Sequence, residues 1–329
     1  MNNFLPNAKR AIIEPIMNSH PQLMIRPINS DENLLSWVKE NRNYIQSTLL
    51  SAGGILFRGF PNISLQAFES VMEEITPVLE EYNERSTPRS EVKGKIYSST
   101  EYPADQRIPM HNENSYAHTW PLKIWFHCVQ VAIVGGETPI ADSRKVYQLI
   151  DPSIRKRFAE KKVLYVRNMG GEYDLPWQTV FQTDNPNFVN EYCRQVGIEV
   201  EWNGTDRIRT KSTRSAIAKH PITGEDLWFN QAHLFHISSL QPEIREYLVD
   251  TLGEENLPRN VYYGDGSKIE DSVLDEIREV YDEVSLTFPW ENGDILLLDN
   301  MLNTHGRNTF TGMRKIVVAM AEPWKDYGI

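Results

Sequence analysis

His111 and Glu113 stand two apart in RIPMHNENSYAHTWP, residues 107–121, just ahead of a run that reads as a strand. In an extended chain residues i and i+2 share a face, so an imidazole nitrogen and a carboxylate oxygen converge on one point, and a metal site can begin there. A third ligand has to come from elsewhere. In WENGDILLLDNMLNTHGRNTFTGMRKIVVAM, residues 290–320, an apolar strand over 294–299 runs into a loop that delivers His305. Two histidines and one carboxylate on one face of an ion leave open positions for a co-substrate and O2, as in non-haem Fe(II) oxygenases.

H-x-E recurs by chance, and the plain alternative makes His111 and Glu113 a surface pair and His305 a loop cap. Arg314 argues against it. It lies nine residues after His305, at the start of a strand that reads as buried, where a guanidinium needs a carboxylate to offset its desolvation. No acid stands near it in FTGMRKIVVAM. A dicarboxylate ligand answers that need, one end on Arg314 in a two-pronged pair and the other on the metal. Thr138, in VGGETPIADSR, offers a hydroxyl donor to the same carboxylate.

Three further places invite a substrate role. His233 and His236 in NQAHLFH are spaced i, i+3, but no third ligand follows. Phe235 and His236 then pack beneath the site while Asn230, Gln231 or His233 faces the substrate. DRIRTKSTR, residues 206–214, places Arg207, Arg209 and Lys211 on one face if extended. That face is either solvated or receives an acidic substrate, and Arg209 is the member singled out. Asn114 reaches the substrate or holds the loop. Residues 262–272, YYGDGSKIEDS, read as a turn and helix start or as part of a lid.

The elements that must position these groups follow from periodicity. Residues 31–50 and 64–83 carry apolar residues at helical spacing, the second after a Ser64 cap, and GGILFRGF between them reads as a strand. From about residue 108 the chain turns to short β-branched and aromatic runs, at 124–134, 162–168, 198–202, 206–210, 226–230, 294–299 and 314–321. Helices return as inserts at 151–161, with Asp151 as cap and Pro152 at the first position, and at 270–284. Strand and helix do not alternate, which disfavours a doubly wound sheet. The expectation is a mainly β fold with flanking helices, closed as a jelly roll or double-stranded β-helix. Residues 1–329 are read as a single domain with a helical N-terminal part and helical inserts.

A formal net charge of −11 disfavours a nucleic-acid partner, which calls for dense Lys and Arg. Cys128 and Cys193 are the two cysteines, too few for a disulfide framework. With no signal-like N-terminus and no apolar run long enough for a bilayer, the expected setting is cytoplasmic, without membrane contact.

HNE at 111–113, GGETPIADSR at 135–144, FNQAHLFH at 229–236, GILFRGF at 54–60, the GD-strand, His305 and Arg314 together resemble the taurine dioxygenase-like (TauD/TfdA) family of Fe(II)/2-oxoglutarate oxygenases. The likeness is to the branch resembling the aspartyl hydroxylase of syringomycin biosynthesis. It implies that His111, Glu113 and His305 bind Fe(II), that Thr138 and Arg314 hold the distal carboxylate of 2-oxoglutarate, and that O2 is the oxidant. It also implies hydroxylation of an unactivated C–H bond of an amino acid or amino-acid-derived substrate, free or tethered to a carrier protein, in natural-product biosynthesis. Desaturation and cyclisation use the same cofactor chemistry.

Two departures matter. Glu113 stands where many members have aspartate, and its carboxylate speaks against halogenation. The taurine enzyme holds its sulfonate with an arginine four residues beyond the 2-oxoglutarate arginine, and that place here is Val318. Outside the family lie a zinc-dependent hydrolase, which leaves Thr138 and Arg314 unexplained, and a non-catalytic 2-oxoglutarate-binding module.

Overall fold

The computed structural model describes residues 10–76, 91–93, 96–98, 102–171 and 174–325. Its largest sheet has eight strands, in the order Ala11–Pro15, Leu23–Pro27, Gly54–Phe57, Ile295–Asp299, Thr119–Gln130, Lys315–Lys325, Ile96–Ser98 and Glu91–Lys93. The pairing is antiparallel except between Leu23–Pro27 and Gly54–Phe57.

The central strands are apolar at nearly every position because both faces are covered. Ile295, Leu297, Trp125, Val317 and Ala319 point outward against two helices, Leu34–Ala52 and Leu65–Ile75. Leu296, Leu298, Ile124, Phe126, Ile316 and Val318 point inward. Asn33 caps the first helix by accepting from the Ser36 N–H, and Ser64 caps the second by accepting from Ala67. The second helix ends at Ile75, two residues before Pro77; the remainder of the expected helix, 77–83, lies outside the described residues.

Across the interior, Ile108–His111, Asn303–Arg307 and Ile140–Asp142 form a three-stranded antiparallel sheet. Ile140, Leu286, Phe288 and Trp290 fill the space between the two layers. The facing layers make a double-stranded β-helix, the jelly roll expected from the strand pattern.

The strands expected over 162–168, 198–202 and 206–210 form a sheet of their own. Val163–Met169, Arg207–Arg214, Ile198–Asn203 and Arg259–Tyr263 make a four-stranded antiparallel sheet outside the jelly roll. The helices expected at 151–161 and 270–284 are observed as Pro152–Lys161 and Asp271–Val284. Residues 264–266 turn the chain ahead of the second, with the Gly266 N–H bonded to the Tyr263 carbonyl. Two further helices, Pro186–Gln195 and Pro242–Leu252, were not evident from periodicity.

Candidate metal and co-substrate site

His111 closes the strand Ile108–His111 and pairs directly with His305 on the neighbouring strand, their ring centroids 4.5 Å apart. Glu113 follows in a turn. Its Oε2 lies 3.9 Å from His111 Nε2 and 3.7 Å from His305 Nε2. One ligand atom from each of the three residues falls within 4.8 Å of the others, the one such group among the described residues. These separations let all three reach a common ion over bonds of about 2.1 Å. His111 Nδ1 lies 2.8 Å from the Pro109 carbonyl. A carbonyl only accepts, so Nδ1 carries the proton and the lone pair sits on Nε2, facing Glu113.

The turn bearing Glu113 is pinned from the C-terminal segment. Asn300 Oδ1 accepts from the Glu113 N–H at 2.7 Å, and Asn300 Nδ2 donates to the Glu113 and Pro121 carbonyls at 2.9 Å. Asn112, fully buried, donates to the carbonyls of Asn300 and Asn303. Asn300 is aimed in turn by Asp299, whose Oδ1 accepts from the Met301 and Leu302 N–H groups and whose Oδ2 meets His220 Nε2 at 3.1 Å.

A cavity of about 40 Å³ opens beside the histidines. His111, His305, Thr138 and Arg314 bound it, with Phe126, Ile316 and Val318 as apolar walls. Thr138 Oγ1 accepts from Trp290 Nε1 at 3.1 Å, which leaves its own proton to donate. Arg314 Nε donates to the Gly136 carbonyl at 2.8 Å. Burial, reinforced by the Arg307 charge, pushes the Arg314 guanidinium down to about 10, still charged at neutral pH, and an anion in the cavity would offset that desolvation. Gly136 has φ +78°, and a Cβ there would lie 2.9 Å from Arg314 Cδ. The glycine is therefore required both by the backbone and by the arginine lying across it. The donor set fits Fe(II) with a chelating dicarboxylate: two neutral imidazoles and a carboxylate for the metal, a hydroxyl and a guanidinium for the far carboxylate.

The family model for "Taurine catabolism dioxygenase TauD, TfdA family" matches residues 25–320. The chain belongs to the TauD/TfdA family. It is 39% identical over 312 residues to the dapdiamide synthesis protein DdaC of Enterobacter agglomerans, covering 94% of each chain. A clavaminate synthase-like protein of Arabidopsis thaliana is 28% identical over 296 residues, covering 87% of this chain and 86% of that one. Among solved structures, PvcB of Pseudomonas aeruginosa, an Fe, alpha-ketoglutarate dependent oxygenase from an isonitrile synthetic pathway, superposes with a TM-score of 0.59 at 14% identity, over 98% of this chain and 94% of that one. That last likeness speaks for the fold. Membership of TauD/TfdA makes the chain a dioxygenase, an oxidoreductase whose cofactors are Fe(II) and 2-oxoglutarate with O2 as oxidant.

The remaining sequence candidates lie elsewhere. His233, buried, places Nε2 2.8 Å from the Met110 carbonyl and its ring 4.5 Å from Tyr281, so it braces the strand that carries His111. Burial pushes it down to about 3. Gln231 does the same work one step along, donating to the Asn112 carbonyl at 2.8 Å. Arg209 is held by Asn168, Glu255 and Asn256 and faces Glu201, on the outer face of the four-stranded sheet. Asn114 is buried at φ +56°, a left-handed turn position that asparagine tolerates, and its carbonyl caps the Ala117 N–H. Val318 lines the cavity as an apolar wall.

Sequence reasoning named Gln231 only as a residue facing the substrate, and it missed Asn300 and Arg307. Arg307, buried, ties the carbonyls of Tyr102, Pro103 and Gln106 together over the site. Nothing in sequence marks such bracing, since each acts on backbone atoms far along the chain.

Proposed function

We propose that this dioxygenase hydroxylates an unactivated C–H bond of an amino acid or amino-acid-derived substrate in a natural-product pathway, the substrate being free or carried on a carrier protein. The observation that carries the assignment of residues is the single cavity bounded by both histidines, Thr138 and Arg314. A hydrolytic metal site has no use for those last two groups.

His111, Glu113 and His305 hold Fe(II); Thr138 and Arg314 hold the distal carboxylate of 2-oxoglutarate. When bound, the iron with 2-oxoglutarate and O2 supplies an oxidant able to take hydrogen from a C–H bond, the co-substrate leaving as succinate and CO2. The protein's own part is positioning and exclusion of water. Phe126, with its ring 5.1 Å from that of His305, and Ile316 and Val318 keep the co-substrate end dry. The kinship with a dapdiamide synthesis protein, at 39% identity, supports a small, amino-acid-like substrate.

The test is an anaerobic titration of metal-free protein with Fe(II) and then 2-oxoglutarate. The expected result is the visible charge-transfer absorption of the chelate, lost in His111→Ala and in Arg314→Ala. Bound iron without that absorption would refute the assignment.

A further inference from the structure

Arg307 closes the strand Asn303–Arg307 and bounds the same cavity of about 40 Å³ as the two histidines, Thr138 and Arg314. It is 5% exposed. Its Nη1 donates to the Tyr102 carbonyl at 2.9 Å, and its Nη2 donates to the carbonyls of Pro103 and Gln106 at 2.5 and 2.8 Å. The guanidinium lies 5.1 Å from the Phe310 ring centroid and 5.9 Å from that of Tyr102. Its Nε–H is buried and has no acceptor.

Carbonyl dipoles and ring faces steady a guanidinium, but none of them carries a negative charge. Among the described residues no carboxylate pairs with Arg307, and no Asp or Glu bounds the cavity. An arginine keeps its proton at neutral pH, so the cost of burying this charge stands until an anion arrives. The charge also reaches Arg314, being one of the causes that push that guanidinium down. A purely mechanical role, holding residues 102–106 in place, accounts for the carbonyl contacts. It does not account for a full charge where the amide of a glutamine would serve, in a wall that offers no acid.

We propose that Arg307 is a second cationic determinant for the co-substrate: its fixed charge makes the cavity prefer an acid whose far end is ionised over one whose far end is neutral. The proposal rests on the oxygenase reading, which places 2-oxoglutarate in this cavity. Arg307 acts here through its field and not through a hydrogen bond to the ligand. Phe126, Ile316 and Val318 wall the cavity with apolar groups, so water screens that field little.

The experiment is an anaerobic titration of the Fe(II)-loaded protein with 2-oxoglutarate and with 2-oxopentanoate, which keeps the chelating end and carries a methyl in place of the far carboxylate. The charge-transfer absorption gives both dissociation constants, and their ratio is the quantity read. Arg307→Gln keeps an N–H donor for the carbonyls without the charge; it should lower the preference for 2-oxoglutarate about tenfold, with 2-oxopentanoate affinity moving less than about threefold. Arg307→Lys, which keeps the charge, should hold the preference within about threefold of the native protein. Tyr102→Glu serves if Arg307→Gln does not fold. Tyr102 is 43% exposed, its backbone carbonyl remains for Arg307, and a carboxylate beside the guanidinium should lower the preference where Tyr102→Gln does not. An unchanged ratio in Arg307→Gln, both acids weakening together, would leave Arg307 a purely mechanical tie and overturn the proposal, as would a preference lost equally in Arg307→Lys or untouched by Tyr102→Glu. If neither acid gives the absorption, the oxygenase reading falls. Equilibrium dialysis of glutarate against pentanoate on metal-free protein then decides the charge: a native preference for glutarate that falls in Arg307→Gln upholds it, and its absence overturns it.

Discussion

Asn300 grips the peptide units on both sides of Glu113, accepting from its N–H at 2.7 Å and donating to its carbonyl at 2.9 Å. The carboxylate proposed to bind iron is therefore positioned through its backbone by a residue 187 positions downstream. Asn300→Ala should weaken Fe(II) or Mn(II) binding by about 10–100-fold, the usual cost of losing a group that orients a ligand. Asn300→Asp, which keeps the acceptor and loses the donors, should fall between. The free Mn(II) signal in paramagnetic resonance titrations reads both, and unchanged affinity in Asn300→Ala would remove the residue from the site.

Gly136→Ala asks a left-handed backbone to carry a Cβ, at a cost of about 1–2 kcal/mol, and drives that carbon to 2.9 Å from Arg314 Cδ. Arg314 must shift off the Gly136 carbonyl. The expected effect is more than about a tenfold loss of 2-oxoglutarate affinity with metal affinity preserved, measured from the chelate absorption at rising co-substrate.

Burial pushes His233 down to about 3 and His236 down to about 4 in the folded protein, against about 6.5 in an unfolded chain. Between those values the unfolded state binds more protons. The stability these neutral imidazoles confer is therefore complete above about pH 6.5 and drains away as pH falls toward 4 and then 3. Urea midpoints of metal-free protein between pH 7.5 and 4.5 should fall, and less steeply in His233→Gln, which keeps a donor for the Met110 carbonyl and does not titrate.

Arg58, from the FRGF stretch, meets Asp294 of the GD pair with Nε to Oδ1 at 3.1 Å and Nη2 to Oδ2 at 2.6 Å, and the Asp294 side chain is 1% exposed. Arg58→Ala strands a buried carboxylate and should cost about 3–5 kcal/mol in chemical denaturation. A loss under about 1 kcal/mol would mean that solvent reaches Asp294.

Burial, aided by the Asp294 charge, pushes the Cys128 thiol up to about 12, and Cys193 is fully buried. Cys128 supplies no thiolate at neutral pH, and Cys193 is shielded from reagents by its burial. A thiol-exchange reagent should label no cysteine of the native protein within minutes and both after denaturation; a fast-reacting native thiol would contradict this packing.

The jelly-roll strands were legible because an apolar run such as Ile295–Leu298 has one explanation, burial on both faces; the ligand pair meets by another route than strand periodicity, His111 closing a strand and Glu113 standing in the turn after it. The pairing of His111 with His305 was open to inference only through chemistry, since register between strands nearly two hundred residues apart leaves no local trace. Pro186–Gln195 and Pro242–Leu252 escaped because they bury little: Val189 and Cys193 in the first, nothing in the second. Their prolines at the first turn were the available signal. In DRIRTKSTR the charged residues drew the eye to Arg209, yet Thr210 and Ser212, on the opposite face, line an internal cavity walled by Tyr116 and Phe235. Charge marked the outside of that strand, and parity alone would have pointed inward.

The strand Thr119–Gln130 takes as its neighbours Ile295–Asp299 and Lys315–Lys325, both from the last segment of the chain. During translation it must wait, both edges open, until that segment leaves the ribosome, a situation that invites chaperone binding. His305 arrives in the same late stretch. On the proposed ligand set, a nascent or prematurely ended chain has no complete seat for a redox-active ion. Iron can then be seated only after the stretch that carries His305 has been made and paired with the strand that ends at His111.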